Sequence, residues 1–188
     1  MNYFEPFNSY IDLEEMKLNS EGELIIRKLS DMVDMFQNKK AAEEALKENP
    51  IIYKVYNVQI PEESGHLQHC ISIVYPGKIG NEYYMTKGHF HKIKETSEIY
   101  LTLKGRGKLI MQMPDQKLRV LDMEEGNISY IPPYWAHRTV NIGDEPLIFF
   151  GVYRGDAGHN YGIIEEKGMS VIIVEEGDKA VIKNNLAN

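Results

Sequence analysis

The sequence predicts an all-β fold, a barrel or sandwich of short strands, with an N-terminal arm and one short helix near the start. Three observations carry this. Short apolar runs recur between residues 51 and 183, and Gly, Pro or Asp marks the breaks between them, as expected of many short strands joined by turns. A single stretch, 32–48, shows a helical apolar face, and Pro50 stops it. The 188 residues contain no internal repeat, low-complexity segment or linker, and a chain of that length buries a sizeable core as one domain.

Taken in order, residues 1–29 are acidic with short apolar stretches such as Leu24-Ile25-Ile26, and read as an arm or edge strands. Ser30 or Asp31 is placed to cap the helix, whose face would be Met32, Met35, Phe36, Ala42, Ala45 and Leu46. Residues 51–60 are rich in β-branched side chains and tyrosine and form the first barrel strand. Residues 70–75 follow, closed by Pro76-Gly77. Further strands are expected at 98–103, 108–113, 118–121, 128–131, 147–153, 169–174 and 180–183. The expected organisation is one domain over 1–188, with arm and helix in 1–50 and barrel and C-terminal strands in 51–188.

Charge and composition exclude some functions. A net charge of −7 with no basic run argues against nucleic acid or an anionic membrane as partner. It leaves room for a phosphorylated small molecule, which a nest of backbone N–H groups or one basic side chain can hold. The lone Cys70 excludes an intrachain disulfide and suits a reducing cytoplasm. Residues 1–20 carry Glu5, Asp12, Glu14 and Glu15 and no apolar core, so they do not read as a signal peptide. No apolar stretch approaches the roughly 18 residues of a membrane span. A cytoplasmic protein is expected.

The chemistry concentrates in His89-Phe90-His91, Glu98 and His137. Histidines at i and i+2 on a strand point to one face. A following carboxylate and a third histidine on a later strand complete a three-nitrogen, one-oxygen donor set. Imidazole and carboxylate together suit Fe, Mn, Ni, Co or Zn, and no thiolate is on offer. The flanks are punctuated. Glu98 is followed by six residues and Gly105, and Gly126 by five residues, Pro132, Pro133, Tyr134, two residues, His137, three residues and Asn141.

These spacings resemble the two cupin signatures, G-x5-H-x-H-x3,4-E-x6-G and G-x5-P-x-G-x2-H-x3-N. Tyr83 and Tyr134 stand where those signatures have Gly, and six residues separate His91 from Glu98 instead of three or four. The segments Thr86-Lys87-Gly88-His89-Phe90-His91, Tyr130 to Thr139 and Asp156-Ala157-Gly158-His159-Asn160-Tyr161-Gly162 are similar to the cupin-type, archaeal-class glucose-6-phosphate isomerases. So are Tyr75-Pro76-Gly77-Lys78 and Arg27 to Met32, so that the resemblance spans most of the chain. For that family the long HxH…E spacing is the normal pattern. The resemblance implies a cupin β-barrel (a jelly roll, or double-stranded β-helix) and a homodimer formed through arm and strand exchange. It also implies one divalent ion per subunit on His89, His91, Glu98 and His137, Fe²⁺ first, with Mn²⁺, Ni²⁺ or Zn²⁺ as alternatives. It places Tyr53, Ser72, Thr86, Gly88 and Tyr100 on the sugar phosphate, and Tyr153 and His159 beside the reacting end with Glu98 and His137.

The donor set alone permits the same chemistry. Six-coordination leaves two cis positions for a carbonyl and its neighbouring hydroxyl, so that the α C–H becomes acidic. Aldose–ketose isomerisation then proceeds through an enediol with a base, or by hydride shift between C1 and C2. The residues do not choose between these routes. Two other classes use the same His₃Glu set: O₂-using or decarboxylating cupins, and sugar-binding modules without turnover. Ser72, Thr86, Lys87, Tyr100, Tyr153 and His159 give this site more polar groups than an oxygenase wall usually has. Each also has a plainer reading, the tyrosines as barrel packing and His159 as a turn residue between glycines. Tyr134-Trp135 reads as packing that orients the His137 loop, and His66 and His69 as surface or strand residues.

Overall fold

The computed structural model describes residues 4–185 apart from 13, 16, 20, 21 and 116, so the parts of the expected arm at 1–3, 13, 16, 20 and 21 lie outside the described residues. The arm is a hairpin of β1 (Tyr10–Asp12) and β2 (Lys17–Asn19), followed by β3 (Leu24–Lys28). Then come two 3-10 turns, Leu29–Asp31 and Val33–Met35, and helix α1 (Lys39–Ala45). The barrel strands are β4 (Ile51–Asn57), β5 (Leu67–Val74), β6 (Lys78–Ile79), β7 (Glu82–Tyr83), β8 (Phe90–His91), β9 (Glu98–Lys104), β10 (Gly107–Gln112), β11 (Leu118–Met123), β12 (Ile128–Ile131), β13 (Ala136–Asn141) and β14 (Leu147–Arg154). The chain ends with β15 (His159–Asn160), α2 (Gly162–Lys167), β16 (Val171–Glu176) and β17 (Lys179–Asn184).

All pairings are antiparallel. One wall is a six-stranded sheet in the order β12-β9-β14-β5-β4-β3. The facing wall is built from smaller pieces: β11-β10-β13, β15-β8 and β17-β16-β7-β6. Isolated bridges Met85↔Val140 and His89↔His137 join the 85–91 segment to β13. Two antiparallel sheets folded onto each other in this way form the jelly roll of a cupin, so the fold class read from the sequence holds.

The six-stranded sheet alternates with period two. On β5, Cys70 and Ser72 face the barrel interior, while Ile71 and Ile73 pack outward with Leu18 of the arm, Val58 and Ile148. The arm therefore covers part of the sheet's outer face. Its approach is also pinned by a 3.1 Å contact between Ser9 Oγ and His69 Nε2, with Phe7 stacked on the His69 ring. His66 and His69 thus serve the arm and stay away from the donor set.

Three sequence expectations change. The helix does not run over 32–48: 3-10 turns occupy its first half, because burying Leu29, Met32 and Phe36 takes a tighter path than a continuous α-helix gives. Its cap is Asn38, whose Oδ1 accepts from Ala41 N at 3.0 Å, and neither Ser30 nor Asp31 fills that role. Strand β13 did not stand out among the apolar runs because Arg138, Thr139 and Asn141 interrupt it, yet all six of its residues are buried. Tyr134, which stands at the glycine position of the second signature, adopts φ +73°. The backbone there needs the left-handed conformation that makes glycine usual.

Candidate metal centre

The cavity lies on the inner face of the six-stranded sheet. Tyr53, Ser72, Glu98, Tyr100 and Tyr153 reach it from β4, β5, β9 and β14, because each faces inward in the alternation. The opposite wall comes from the 86–89 segment and β13, which bring Thr86, Gly88, His89 and His137. His159 closes the mouth from β15. His91 stands behind His89, its strand paired with His159. Every ligand, sugar-phosphate and reacting-end position implied by the resemblance therefore lines or directly backs one cavity. Ser72 does so from a strand two places away from the one carrying Glu98, not beside it. Lys87 does not join them: its Nζ lies 3.0 Å from Glu165 of α2.

His89, His91, Glu98 and His137 each offer one ligand atom, and these atoms lie within 4.8 Å of one another. His91 Nε2 is 3.3 Å and His137 Nε2 3.0 Å from Glu98 Oε2. The second contact is out of line for a hydrogen bond. His137 Nε2 and His89 Nε2 are therefore buried acceptors or donors without a partner among the described residues. Buried polar atoms are rarely left so unless something else satisfies them. Two orphaned imidazole nitrogens beside a buried carboxylate are the donor types that a divalent cation such as zinc or iron takes.

The electrostatics agree. Burial alone would raise the Glu98 pKa, but the imidazoles of His137 and His91 outweigh it and hold the carboxylate at about 2. Burial, reinforced by His137, His159 and His91, drives His89 well toward the neutral form. His159 is exposed at the mouth by area, yet its enclosure on the other sides still lowers its pKa, against the pull of Glu98. A neutral His89 and an ionised Glu98 are two of the states a metal there requires. Tyr53 is pushed up to about 12, first by burial and then by Tyr161. Tyr100 and Tyr153 are also raised, first by burial, with Glu98 and Cys70 adding to it. All three present neutral O–H donors at the cavity.

Backbone geometry fixes the walls. Gly88 has φ +75°, and a Cβ there would meet Arg138 Cβ and His137 O at 3.0 Å. Arg138 is 1% exposed and donates Nε and Nη2 to Lys87 O at 3.2 and 2.7 Å, which holds the Thr86–Gly88 turn against β13. A Cβ on Gly151 would lie 3.1 Å from the Tyr100 ring and 3.2 Å from Cys70 Sγ. That glycine is what lets Tyr100 lie over its neighbour strand.

Several lining residues were not singled out from the sequence. Tyr161 stacks on His159 with ring centres 5.9 Å apart and lies 5.5 Å from His89. It lies within the 156–162 segment that resembles the family, and that position is the signal that marks it. Ile25, Val55, Asn57, Cys70 and Phe149 complete the lining. Ordinary strand residues of this kind carry no signal until the alternation is fixed by structure.

The family model for glucose-6-phosphate isomerase (GPI) matches residues 26–188. A curated glucose-6-phosphate isomerase of Thermococcus litoralis is 45% identical over 98% of this chain and 97% of its own length. That of Pyrococcus furiosus is 44% identical over 97% of each, and that of Sinorhizobium medicae 33% identical over 93% of this chain and 83% of its own. Among solved structures, an oxalate decarboxylase of Lactobacillus farciminis overlays 58% of this chain and 30% of that one, with 23% identity and a TM-score of 0.46. With a family model covering most of the chain and whole-length relatives well above 30% identity, the protein belongs to the glucose-6-phosphate isomerase family.

Proposed function

We propose that this protein is a metal-dependent aldose–ketose isomerase that interconverts glucose 6-phosphate and fructose 6-phosphate. The observation that carries the reading is the joining of the His89, His91, Glu98 and His137 donor set to a wall of hydroxyl donors in one cavity. A divalent ion held by those four residues would supply Lewis-acid polarisation of the sugar carbonyl. We assign Fe²⁺ first, with Mn²⁺, Ni²⁺ or Zn²⁺ as alternatives that the same ligands accept.

The remaining steps belong to the chain's own groups. Tyr53, Ser72 and Thr86 offer hydroxyls, and Gly88 a backbone N–H, for the phosphate. Thr86 Oγ1 already accepts from Thr139 N at 3.0 Å, which leaves its own proton to be donated to a bound group. Tyr100 holds the sugar beside Glu98. Binding the phosphate remotely places C1 and C2 for transfer. At the reacting end stand Glu98, His137, Tyr153 and His159. Tyr153 and His159, with ring centres 5.7 Å apart, are placed to hold or pass a proton at the sugar oxygens. Glu98 Oε1 is the candidate base at carbon if transfer runs through an enediol.

We also read 1–188 as a single domain that pairs as a homodimer. Ile99, Ile128, Tyr130 and Leu67 remain 44–70% exposed on the outer sheet face beyond the arm, which supports a second copy there. No helix among the described residues is long and apolar enough to cross a membrane, and we take the protein to act in the cytoplasm.

The assay is direct. Metal-loaded protein given fructose 6-phosphate anaerobically, coupled to glucose-6-phosphate dehydrogenase, should turn over. EDTA should abolish that, and Fe²⁺, Mn²⁺ or Ni²⁺ should restore it. Folded, fully metallated protein with no turnover in either direction would leave a sugar-binding module as the reading.

A further inference from the structure

The loop between His91 and Glu98 is longer than the general cupin spacing, and the structure shows what the additional length does. Thr96 is 3% exposed. Its Oγ1 lies 2.6 Å from His91 Nδ1 and 2.7 Å from Ile93 O. A hydroxyl has one proton, and a carbonyl oxygen can only accept. The Thr96 proton therefore goes to Ile93 O, and Thr96 Oγ1 must accept from His91 Nδ1–H. The Thr96 carbonyl, 3.2 Å from the same nitrogen, is a second acceptor. With Nδ1 protonated, neutral His91 leaves Nε2 as a lone pair for the donor set, and its 3.3 Å contact with Glu98 Oε2 is then the spacing of two ligands on one ion, not a hydrogen bond.

The chain of donors is anchored at its far end. Ile93 N donates to Ala157 O at 2.9 Å, Lys92 N to Gly158 O at 3.2 Å, and Tyr134 N to Lys94 O at 2.8 Å. The loop cannot slide without breaking its ties to two other segments. The neighbouring ligand is held less firmly: among the described residues, His137 Nδ1 meets the Trp135 carbonyl alone, at 3.4 Å.

We propose that Thr96 is a positioning residue that fixes His91 in the Nδ1–H tautomer and so sets the metal affinity of the site. This rests on reading the four residues as a metal centre and does not depend on which sugar is turned over. Outer partners of ligating histidines are typically worth 10–100-fold in metal affinity. Thr96→Val keeps the shape and removes the hydroxyl, whereas Thr96→Ser keeps it. Zn²⁺ affinity of the folded protein, measured by competition with a chelating dye, should fall 10–100-fold in Thr96→Val and by no more than about threefold in Thr96→Ser. Long-range ¹H–¹⁵N correlation spectra of metal-free protein at pH 8 should show His91 as Nδ1–H in the parent and in Thr96→Ser, and as a mixture or Nε2–H in Thr96→Val. Equal Zn²⁺ affinity in Thr96→Val and parent would overturn the proposal. So would an Nε2–H tautomer in the metal-free parent, a result that needs no variant to fold. A parent that binds no Zn²⁺ at all would instead overturn the metal reading, while the tautomer measurement would still test Thr96.

Discussion

Glu98 shows how far single residues can be read in advance. Its place after two histidines and before Gly105 marked it as a ligand, and the structure buries it against both His91 and His137. Thr96, two positions earlier, carried no such mark: a threonine in a polar loop looks the same whether it faces solvent or an imidazole. His137→Ala should lose most of the metal, measured by elemental analysis of the folded variant. Thr86→Ala should instead keep the metal and raise KM for fructose 6-phosphate, since losing one hydrogen bond to a charged group costs about 1.5–3 kcal/mol. Acid and alkali should act on different residues. In metal-free protein, the lowered His89 and His159 stabilise the fold above their ordinary value of 6.5 and lose that as pH falls below it; Glu98 contributes above 4.5 and is lost toward about 2. On the other side, Cys70 and Tyr53, both raised to about 12, contribute fully below 9.0 and 10.0 and are lost as pH rises toward 12. The urea midpoint should therefore drop below pH about 6.5 and again above about 9, with Tyr53, Tyr100 and Tyr153 silent in tyrosinate absorbance until the fold opens.

At the scale of elements, alternation was legible wherever one face was apolar. The strands around 51–57, 98–104, 128–131 and 147–154 fall where the apolar runs put them. The helix did not, since the spacing of Met32, Met35 and Phe36 is served equally well by 3-10 turns packed under the barrel. β8 and β15, two residues each, are too short to leave any periodicity, yet their pairing sets His159 opposite His91. That two-strand clasp explains why His159 could be found only through the family pattern. Asn38→Ala tests the observed helix start: loss of its cap should cost about 1 kcal/mol, read as a lower urea midpoint with an unchanged slope. Ser30→Ala should move it much less, because Ser30 lies outside α1 and its hydroxyl accepts from Asn49 Nδ2 at 3.2 Å, away from the helix start.

At the scale of the molecule, the outer sheet face divides into a part under the arm and a bare part. The bare part carries Ile99, Ile128 and Tyr130 on the adjacent strands β9 and β12. A second copy seated there would bury these side chains, so Tyr130→Glu should halve the mass measured by light scattering at micromolar concentration while leaving the circular dichroism unchanged. A parent that is already monomeric would dispose of the pairing. His89 and His137, remote in sequence, face each other across an isolated bridge, each donating its backbone N–H to the other's carbonyl at 3.2 and 3.0 Å. The ion they would share is thus a cross-link as well as a reagent. It ties together two points 48 residues apart in the chain, and closing a loop of that length restrains the unfolded ensemble by about 4 kcal/mol on the chain-entropy account. Unfolding would then have to wait for the ion to leave, and the protein's lifetime on heating would track metal occupancy more closely than any single packing contact.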